Sequence, residues 1–220
     1  MRFATDLNDY GVIEMFTSNG YEWVDVTEPF DFAVFCGGED VCPSEYGERE
    51  IPQAGVECNP ARDIISKKLW NASGGKPKIG ICRGSQFLHI MNGGKLYQHV
   101  TGHATGAEHY VYVYEDYYNQ RPFSGESFMA TSTHHQMMAP NAGQLVALGS
   151  VENCEYISWV DGHEGEYAQR KRTPTQIESM WHFRSKTFCY QPHPEYVQPQ
   201  HDCRVFFWNM LRHFFKIEGK

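Results

Sequence analysis

The sequence predicts an α/β fold of three layers, with a mainly parallel central sheet and helices on both of its faces. In the first half of the chain, short segments rich in aromatic and β-branched residues alternate with segments whose apolar residues recur at helical spacing. Strands that alternate with helices form βαβ units, whose crossover helices cover a parallel sheet. The 220 residues contain no repeat, low-complexity tract or Ser/Gly-rich linker, so we expect a single domain over residues 1–220.

Four segments predict helices, in chain order residues 9–18, 59–70, 86–91 and 200–216. Asn8 or Asp9 is the N-cap of the first helix, and Asn59 precedes a proline at the first position of the second. The third ends before the pair Gly93-Gly94, which is typical of a helix C-terminus. The last has an apolar stripe that we expect to dock onto the sheet rather than to bind a partner or a membrane; it consists of Phe207, Met210, Leu211 and Phe214.

Eight segments rich in aromatic or β-branched residues predict strands. We expect the strands of the first half to be parallel and some of the later ones to be antiparallel. In chain order, the segments are residues 21–26, 32–36, 78–81, 110–114, 145–148, 155–160, 177–181 and 187–190.

Charge and cysteine content disfavour several classes of protein. Acidic residues outnumber basic ones by 27 to 19, a formal net charge of −8, which disfavours binding to nucleic acid or to an anionic membrane surface. No apolar run reaches the ~18 residues of a membrane-spanning helix, and the first residues lack the apolar stretch of a signal peptide. The seven cysteines are odd in number and follow no tight spacing, which is typical of a reduced set. We therefore expect a cytoplasmic protein that binds neither nucleic acid nor membrane.

The segment of residues 78–86 predicts a nucleophile on a sharp turn. A strand ends at Cys82, glycines stand two residues before it and two residues after it, and a helix follows. Side chains on Gly80 or Gly84 would collide where the helix and the strand meet, and the sulfur lies at a helix N-terminus, where the thiolate is favoured over the thiol. On this segment alone, Cys82 is either a nucleophile or a small apolar residue at the end of a strand.

His193 and its neighbours predict the general base that a cysteine nucleophile needs. Pro194 favours an extended backbone at His193, and in an extended chain Glu195 points to the same side as His193. The carboxylate can then fix the imidazole tautomer and stabilise the imidazolium. The segment follows a predicted strand, at the edge where α/β enzymes collect catalytic groups. The alternative for this segment alone is a surface turn rich in proline.

Four motifs resemble those of the class I glutamine amidotransferases and, within that superfamily, those of the gamma-glutamyl hydrolase branch, and they follow one another along the chain in the same order as in the family. Residues 80–86 (GICRGSQ) resemble the nucleophile motif, and residues 193–195 (HPE) resemble the histidine–glutamate pair. Residues 37–47 are similar to the G-G-x-D-[IV]-x-P-x-x-Y-G segment of the branch that cleaves gamma-glutamyl amines, and residues 131–136 are similar to its N-S-x-H-H-Q. The resemblance covers most of the chain, about residues 34–195.

The resemblance implies a flavodoxin-like fold of the glutamine amidotransferase type and a triad of Cys82, His193 and Glu195. By this resemblance, Cys82 would attack the gamma-carbonyl of a glutamine-like substrate, His193 would shuttle the proton, and Glu195 would orient His193. The resemblance also implies that the backbone N–H groups of Gly38 and Arg83 form the oxyanion hole, where one donor is typically worth ~10²–10³ in rate. It implies no cofactor. The residues that would line the substrate side are Gln86, His134, His135 and Gln136.

Departures from the family pattern leave the substrate open. Thr131 replaces an asparagine, Pro192 an aromatic residue and His99 an aspartate. One hypothesis is that the protein alone hydrolyses a gamma-glutamyl amide of a small amine or peptide. A second is a glutaminase that releases ammonia from glutamine for a separate synthetase subunit, and a third is a binding module without turnover. The complete triad argues against the third hypothesis, and the hydrolase-type motifs favour the first over the second.

Three histidines raise the question of a metal site, because His99 and His103 are four residues apart and His109 follows. Zinc ligands at this spacing need a helix, whereas residues 100–102 are loop-like, and no carboxylate partner is evident in the sequence. We therefore expect no metal and interpret these histidines as polar loop residues near the cleft.

Overall fold

The computed structural model describes residues 1–114, 126–159 and 175–219, and the backbone of residues 167–170. The helices in this part of the chain are α1 (Tyr10–Thr17), α2 (Pro60–Ser73), α3 (Arg83–Met91) and α4 (Asp202–Phe215). The strands are β1 (Arg2–Thr5), β2 (Glu22–Trp23), β3 (Phe32–Phe35), β4 (Lys78–Ile81), β5 (Leu96–Tyr97), β6 (His99–Val100), β7 (Ala104–Val113), β8 (Ser127–Thr133), β9 (Met137–Met138), β10 (Gln144–Gly149), β11 (Tyr156–Trp159), β12 (Tyr167–Arg170), β13 (Ile177–His182) and β14 (Thr187–Tyr190). None of the described helices has the length and apolar character that crossing a membrane requires.

The strands form two sheets. The main sheet has the order β2-β1-β3-β4-β14-β13-β10-β7-β8, with β9 paired to β13 and β5 paired to β9. Its pairs from β2 to β14 are parallel, and its remaining pairs are antiparallel. The second sheet consists of β6, β11 and β12, and it is antiparallel. The prediction of parallel strands followed by antiparallel ones is thus confirmed.

The carboxyl ends of β3, β4 and β14 meet at one edge of the parallel half. Ile81 at the end of β4 pairs with Tyr190 at the end of β14, and β3 lies on the other side of β4. The loops that leave this edge contain Gly38, Cys82 and His193. Open α/β sheets bind their ligands at this edge.

Helices cover both faces of the parallel half, so the predicted three-layer α/β class is confirmed. Phe32 and Val34 of β3 belong to the core that packs against α1 and α4, whereas Ala33 and Phe35 belong to the core that packs against α2 and α3. Successive residues of a strand point to opposite faces, and a strand buried on both faces is apolar throughout. The predicted docking of the last helix is confirmed as well, because Phe207, Met210 and Leu211 of its stripe are fully buried and Phe214, partly buried, packs against the same core.

Most predicted elements are confirmed, with differences at their ends. The predicted strand of residues 21–26 is confined to β2, because Asp25 accepts hydrogen bonds from the backbone N–H and the hydroxyl of Thr27 in a turn. Helix α2 continues to Ser73, and α3 begins at Arg83, directly after the nucleophile candidate. Strand β7 begins six residues earlier than predicted, and residue 160, the end of another predicted strand, lies outside the described residues.

The sequence does not predict the short strands β5, β6, β9 and β12, nor β1 and β8. Strand β1 is only four residues long, and just two of them, Phe3 and Ala4, are buried. Strand β8 alternates buried and partly exposed residues, but two of its buried residues are Ala130 and Ser132, which favour strands only weakly. Both strands are therefore stabilised by pairing with distant segments rather than by a local preference.

The structure contradicts the expected reduced set of cysteines at one pair, because Cys42 and Cys58 form a disulfide. A parallel bridge between Asp40 and Cys58 brings the two segments side by side, and the Cα atoms of the two cysteines are 5.1 Å apart. This distance lies within the range that a disulfide spans. Proximity of this kind depends on the fold, and the spacing of the cysteines in the sequence does not reveal it.

Candidate active site

Cys82 lies on the sharp turn between β4 and α3, with backbone angles of φ 49° and ψ −112°. A positive φ is uncommon outside glycine and persists only where the surrounding structure maintains it. A Cβ atom on Gly80 would lie 2.6 Å from the backbone nitrogen of Ser85, and one on Gly84 would lie 2.1 Å from the carbonyl oxygen of Phe35. The predicted strand–turn–helix arrangement is confirmed, and only glycines allow its close packing.

His193 follows β14 and contacts both Cys82 and Glu195. Its Nδ1 lies 2.5 Å from Oε1 of Glu195, whose side chain is completely buried, and its ring interacts electrostatically with the Cys82 side chain. The backbone of His193 is extended, as predicted, and its N–H donates a hydrogen bond of 2.7 Å to Oγ1 of Thr131. The ring of Tyr196 stacks on the imidazole with the ring centroids 4.3 Å apart. The structure thus brings the three predicted triad residues together, with His193 in the middle.

Burial and two neighbouring side chains, those of Cys82 and Glu195, govern the protonation of His193. Burial lowers the pKa of the imidazole, but the electrostatic attraction and hydrogen bonds of Cys82 and Glu195 outweigh burial and raise the pKa of His193 to about 11. The imidazole therefore stays protonated at neutral pH. An imidazolium beside a cysteine sulfur favours the nucleophilic thiolate and is also a proton donor for a leaving group.

The Gly37-Gly38 loop approaches the imidazole from the end of β3. A Cβ atom on Gly37 would lie 2.6 Å from Cε1 of His193, so a side chain at this position would collide with the ring. Gly38 has a φ of +139°, which favours glycine, and it lines the same cavity as Cys82. Arg83 is the first residue of α3, so its backbone N–H has no acceptor within the helix. Both predicted oxyanion donors thus lie on segments that border Cys82, and their role stays a prediction.

The side chain of Arg83 belongs to a buried network of ion pairs. It forms an ion pair with Asp63 and donates a hydrogen bond of 2.7 Å to Oγ of Ser66. Ser66 in turn donates a hydrogen bond of 2.7 Å to Asp6, whose carboxylate lies 3.1 Å from Nη1 of Arg62. Buried charges are tolerated only when they are paired, so the network ties the start of α3 to α2 and to the end of β1. The sequence analysis missed this network, since its members are partners only in three dimensions.

Cys82 borders a cavity of about 600 Å³. This size is typical of a small-molecule site. The predicted substrate-side residues all lie in its wall; they are Gln86, His134, His135 and Gln136. Three carboxylates of this wall were not among the predicted site residues, although Glu39 and Asp40 belong to the motif of residues 37–47; they are Glu39, Asp40 and Glu57.

His135, like His99, is a partly exposed histidine of the cavity wall, with 27% of its side chain accessible. Its Nε2 lies 2.8 Å from Oδ2 of Asp40, and this hydrogen bond raises the pKa of His135 although burial opposes the rise. Nδ1 of His135 lies 3.3 Å from Nδ1 of His99. The wall therefore presents carboxylates together with a histidine whose protonated form is stabilised.

The other predicted substrate-side residues make hydrogen bonds within the protein. Nε2 of Gln86 donates a hydrogen bond of 2.9 Å to the carbonyl oxygen of Gln136, and Oε1 of Gln136 accepts one of 3.1 Å from the backbone N–H of Val41. The ring of His134 points into the core, with Nδ1 3.0 Å from the carbonyl oxygen of Gln136 and Nε2 3.5 Å from Oε1 of Glu178. These three residues shape the wall, whereas His135 has the exposure that contact with a ligand requires.

The expectation that His103 and His109 have no carboxylate partner is wrong. Oε1 of Glu178 lies 3.3 Å from Nδ1 of His103 and 3.0 Å from Nε2 of His109. Glu178 is completely buried in β13, about 70 residues further along the chain. The signal available in the sequence was Glu178 itself, a charged residue inside the predicted strand of residues 177–181. His99 lies elsewhere, against His135.

Comparison with known proteins identifies the family. The model of the Peptidase C26 family matches residues 12–159, about two thirds of the chain, a range that includes Cys82 and ends before His193. The glutamine amidotransferase-like protein YvdE of Lactococcus lactis is 29% identical over 130 residues, which cover 54% of this chain and 55% of the relative. The matched region thus spans about half the length of that curated relative.

The chain is also similar to a further curated relative and to a solved structure. The carbamoyl phosphate synthase small chain of Thermoplasma volcanium is 28% identical over 158 residues, which cover 72% of this chain and 36% of the relative. The crystal structure of a candidate GMP synthase component from Thermoplasma acidophilum has a TM-score of 0.63 at 15% identity, with 98% of this chain and 94% of that chain covered. This likeness confirms the fold. Because the family model covers more than half of the sequence, the chain belongs to the Peptidase C26 family, within the class I glutamine amidotransferase superfamily.

Proposed function

We propose that the protein is a cysteine-dependent hydrolase of gamma-glutamyl amide bonds, with a triad of Cys82, His193 and Glu195. The observation that supports this function most is the contact of His193 with both Cys82 and Glu195, the latter at 2.5 Å. Acyl transfer from an amide requires a nucleophile, a proton shuttle and a group that orients the shuttle. These three groups follow two neighbouring strands, β4 and β14, at the ligand-binding edge of the sheet.

The first half-reaction transfers the gamma-glutamyl group to the sulfur. The Cys82 thiolate attacks the gamma-carbonyl carbon, and the backbone N–H groups of Gly38 and Arg83 stabilise the tetrahedral oxyanion. His193 then gives its proton to the leaving nitrogen, the C–N bond breaks, and a gamma-glutamyl thioester remains on Cys82.

The second half-reaction hydrolyses the thioester. The neutral His193 takes a proton from a water molecule, and the water oxygen attacks the thioester carbonyl. Collapse of the second oxyanion releases glutamate and restores the Cys82 thiolate beside the imidazolium. Glu195 stabilises the positive charge on His193 whenever that charge is present.

The chemistry of the cavity wall supports a gamma-glutamyl group as the acyl part of the substrate. This group carries an α-ammonium and an α-carboxylate, so it needs partners of both signs. The carboxylates of Glu39, Asp40 and Glu57 suit the ammonium, and His135, whose pKa Asp40 raises, suits the carboxylate. A cavity of about 600 Å³ also leaves room for an amine substituent beyond the glutamyl group.

A glutaminase subunit that supplies ammonia to a separate synthetase is the second candidate function. The likeness to the small chain of a carbamoyl phosphate synthase, 28% identical over 158 residues, favours it. We expect such a glutaminase to be nearly inactive without its partner, whereas a hydrolase turns over unaided.

A substrate panel tests these functions. The purified protein is incubated with glutamine and with gamma-glutamyl amides of small amines and peptides, and the release of ammonia and of free glutamate is measured. The proposed hydrolase releases glutamate from at least one amide without a partner. Slow turnover of glutamine, with no turnover of any gamma-glutamyl amide in the panel, would indicate the glutaminase instead. The absence of any turnover would indicate a binding module.

Cys82→Ser tests the nucleophile in the same assay. We expect turnover to disappear while the circular dichroism spectrum and the Tm stay close to those of the wild type. Cys203→Ser is the matched control, because Cys203 is another buried thiol and its sulfur accepts a hydrogen bond from Tyr190 that a hydroxyl can also accept. Retained activity in Cys82→Ser would mean that the nucleophile lies elsewhere.

A further inference from the structure

A cluster of three histidines surrounds the buried carboxylate of Glu178, outside the triad. Nε2 of His109, Nδ1 of His103 and Nε2 of His134 lie 3.0, 3.3 and 3.5 Å from the same oxygen, Oε1. We propose that His103, His109 and Glu178, whose ligand atoms all lie within 4.8 Å of one another, bind one Zn²⁺ ion. In a tetrahedral site with metal–ligand bonds of about 2.0–2.1 Å, two ligand atoms are about 3.3–3.4 Å apart, and the distances of 3.0 and 3.3 Å from Oε1 to the nitrogens of His109 and His103 are close to this value.

Hydrogen bonds on the far sides of two rings fix their orientation toward Glu178. Nε2 of His103 lies 2.9 Å from Oε1 of Gln176, and Nδ1 of His134 lies 3.0 Å from the carbonyl oxygen of Gln136. Carbonyl oxygens only accept, so these two nitrogens each carry a ring hydrogen, and the opposite nitrogens face Glu178. Among the described residues, neither of the facing nitrogens has a hydrogen-bond partner.

A lone pair that faces a carboxylate oxygen at this distance is repelled unless a cation lies between them. A metal ion is one such cation, and an extra proton on a ring is the other. The amide of Gln176 is held in one orientation, because its Oε1 accepts a hydrogen bond from the backbone N–H of Val151 and its Nε2 donates one to the carbonyl oxygen of Val151. Hydrogen bonds of this kind, outside the ligands themselves, fix the tautomer of metal-binding histidines.

A glycine keeps space open beside the ligand atoms. A Cβ atom on Gly149 would lie 2.9 Å from Oε1 of Glu178 and 3.2 Å from Nε2 of His109. Gly149 is not among the residues with positive φ, so its backbone conformation does not require glycine. We infer that glycine is present at this position because a side chain would fill the space next to the cluster. The side chain of His109 is 9% exposed, which provides a route for the ion from solvent.

The donor set selects zinc. Two imidazoles and one carboxylate are nitrogen and oxygen donors that suit Zn²⁺, and a water molecule would complete its tetrahedral coordination. The ion would compensate the charge of Glu178, whose side chain is completely buried. It would join His109 of β7 to Glu178 of β13, and the ring of His134, 3.5 Å from the same carboxylate oxygen, directly precedes the cavity residue His135. The proposed role is therefore structural support of the cavity wall, and it does not depend on the proposed hydrolase activity.

The metal content of the purified full-length chain tests this site. Protein from zinc-supplemented cultures is passed over a desalting column in metal-free buffer and analysed for elements. The measurement is repeated on Cys82→Ala, so that zinc held by the reactive thiol is recognised. We expect about one zinc per chain in both proteins, because the cluster offers one site for the ion.

Variants of the cluster locate the ion. We expect Glu178→Gln and His109→Gln to weaken zinc binding by more than the ~10-fold that loss of an outer partner already costs. Gly149→Ala should also bind zinc more weakly, because the added methyl group occupies the space beside Oε1. His213→Gln removes a histidine of α4 outside the cluster and should keep the full zinc content. Cobalt substitution should give the visible absorption of a tetrahedral site without a thiolate charge-transfer band.

The thermal stability separates a metal ion from an extra proton. Zinc that binds only the folded chain raises its Tm, and a chelator reverses the rise. If Glu178→Gln does not fold, His109→Gln at the edge of the cluster supplies the same comparison. Folded wild-type protein that binds no zinc would overturn the site and leave the proton as the cation. Zinc bound with unchanged affinity by folded Glu178→Gln or His109→Gln would also overturn it, because the ion would then lie elsewhere.

Discussion

Replacement of Glu195 by glutamine keeps the size of the side chain and removes its charge. In the wild type, Oε1 of Glu195 lies 2.5 Å from Nδ1 of His193 at a completely buried position. A hydrogen bond to a charged group is worth about 1.5–3 kcal/mol, and each ~1.36 kcal/mol changes a rate tenfold. We therefore expect kcat/KM of Glu195→Gln to fall about 10- to 160-fold, because the imidazolium, the form of His193 that the first half-reaction needs, loses this stabilisation.

The same substitution should shift the pH dependence of the rate. Burial lowers the pKa of His193, and Cys82 and Glu195 outweigh it and raise the pKa to about 11. The proton that the leaving amine needs is then present through neutral and mildly alkaline pH. Without the charge of Glu195, one of the two groups that raise the pKa of His193 against the effect of burial is lost. The pKa of His193 therefore falls, and the alkaline limb of the rate profile moves to lower pH. Release of nitroaniline from a gamma-glutamyl nitroanilide, followed across the pH range, measures this shift.

Glu195→Asp is the matched control, because it retains the charge and shortens the side chain by one methylene group. Its alkaline limb should stay closer to that of the wild type than the limb of Glu195→Gln, even if its rate is lower. An unchanged alkaline limb together with an unchanged kcat/KM in Glu195→Gln would refute the reasoning. His193 would then not be the proton donor, or Glu195 would not stabilise its proton.

Two further substitutions test the parts of the structure that support the site. Gly84→Ala should lower the free energy of unfolding by about 1–3 kcal/mol in urea denaturation, because its Cβ would lie 2.1 Å from the carbonyl oxygen of Phe35. Gly75→Ala, where a Cβ would meet no described atom within 4 Å, is the control and should change little. Asp63→Asn should cost about 3–5 kcal/mol in the same measurement, because a buried arginine loses its partner. Glu22→Gln, in an ion pair where its side chain is 69% exposed, should cost less than about 1 kcal/mol, and equal losses in the two acid variants would contradict the importance of the buried network.

The helices and most strands could be predicted because their signals are local. Asn59 caps α2 as the sequence indicates, with its side chain accepting hydrogen bonds from the backbone N–H groups of Ala61 and Arg62. The apolar run of β3 is buried on both faces, as expected of a central parallel strand. In contrast, β1 and β8 depend on pairing with distant segments, and no local pattern records such pairing.

The candidate site divides in the same way. Cys82 and His193 could be predicted because each has neighbours whose backbone requirements are visible in the sequence, the glycines of the sharp turn and the proline after the histidine. The disulfide of Cys42 with Cys58 and the burial of Glu178 among histidines could not be predicted. They depend on contacts between residues that are far apart in the chain, and their spacing follows no period.

Two buried charge clusters flank the proposed triad and are connected through α3. The network around Arg83 holds the turn that carries Cys82. The cluster around Glu178 holds His134. Two residues further along, the carbonyl oxygen of Gln136 accepts a hydrogen bond of 2.9 Å from Gln86 of α3. Removing one member of a buried charge cluster leaves the others without compensation, so the effect is large and is felt along the connected elements. It follows that substitutions in either cluster should alter turnover even though every residue of the triad is retained, and that the loss of turnover should follow the loss of stability.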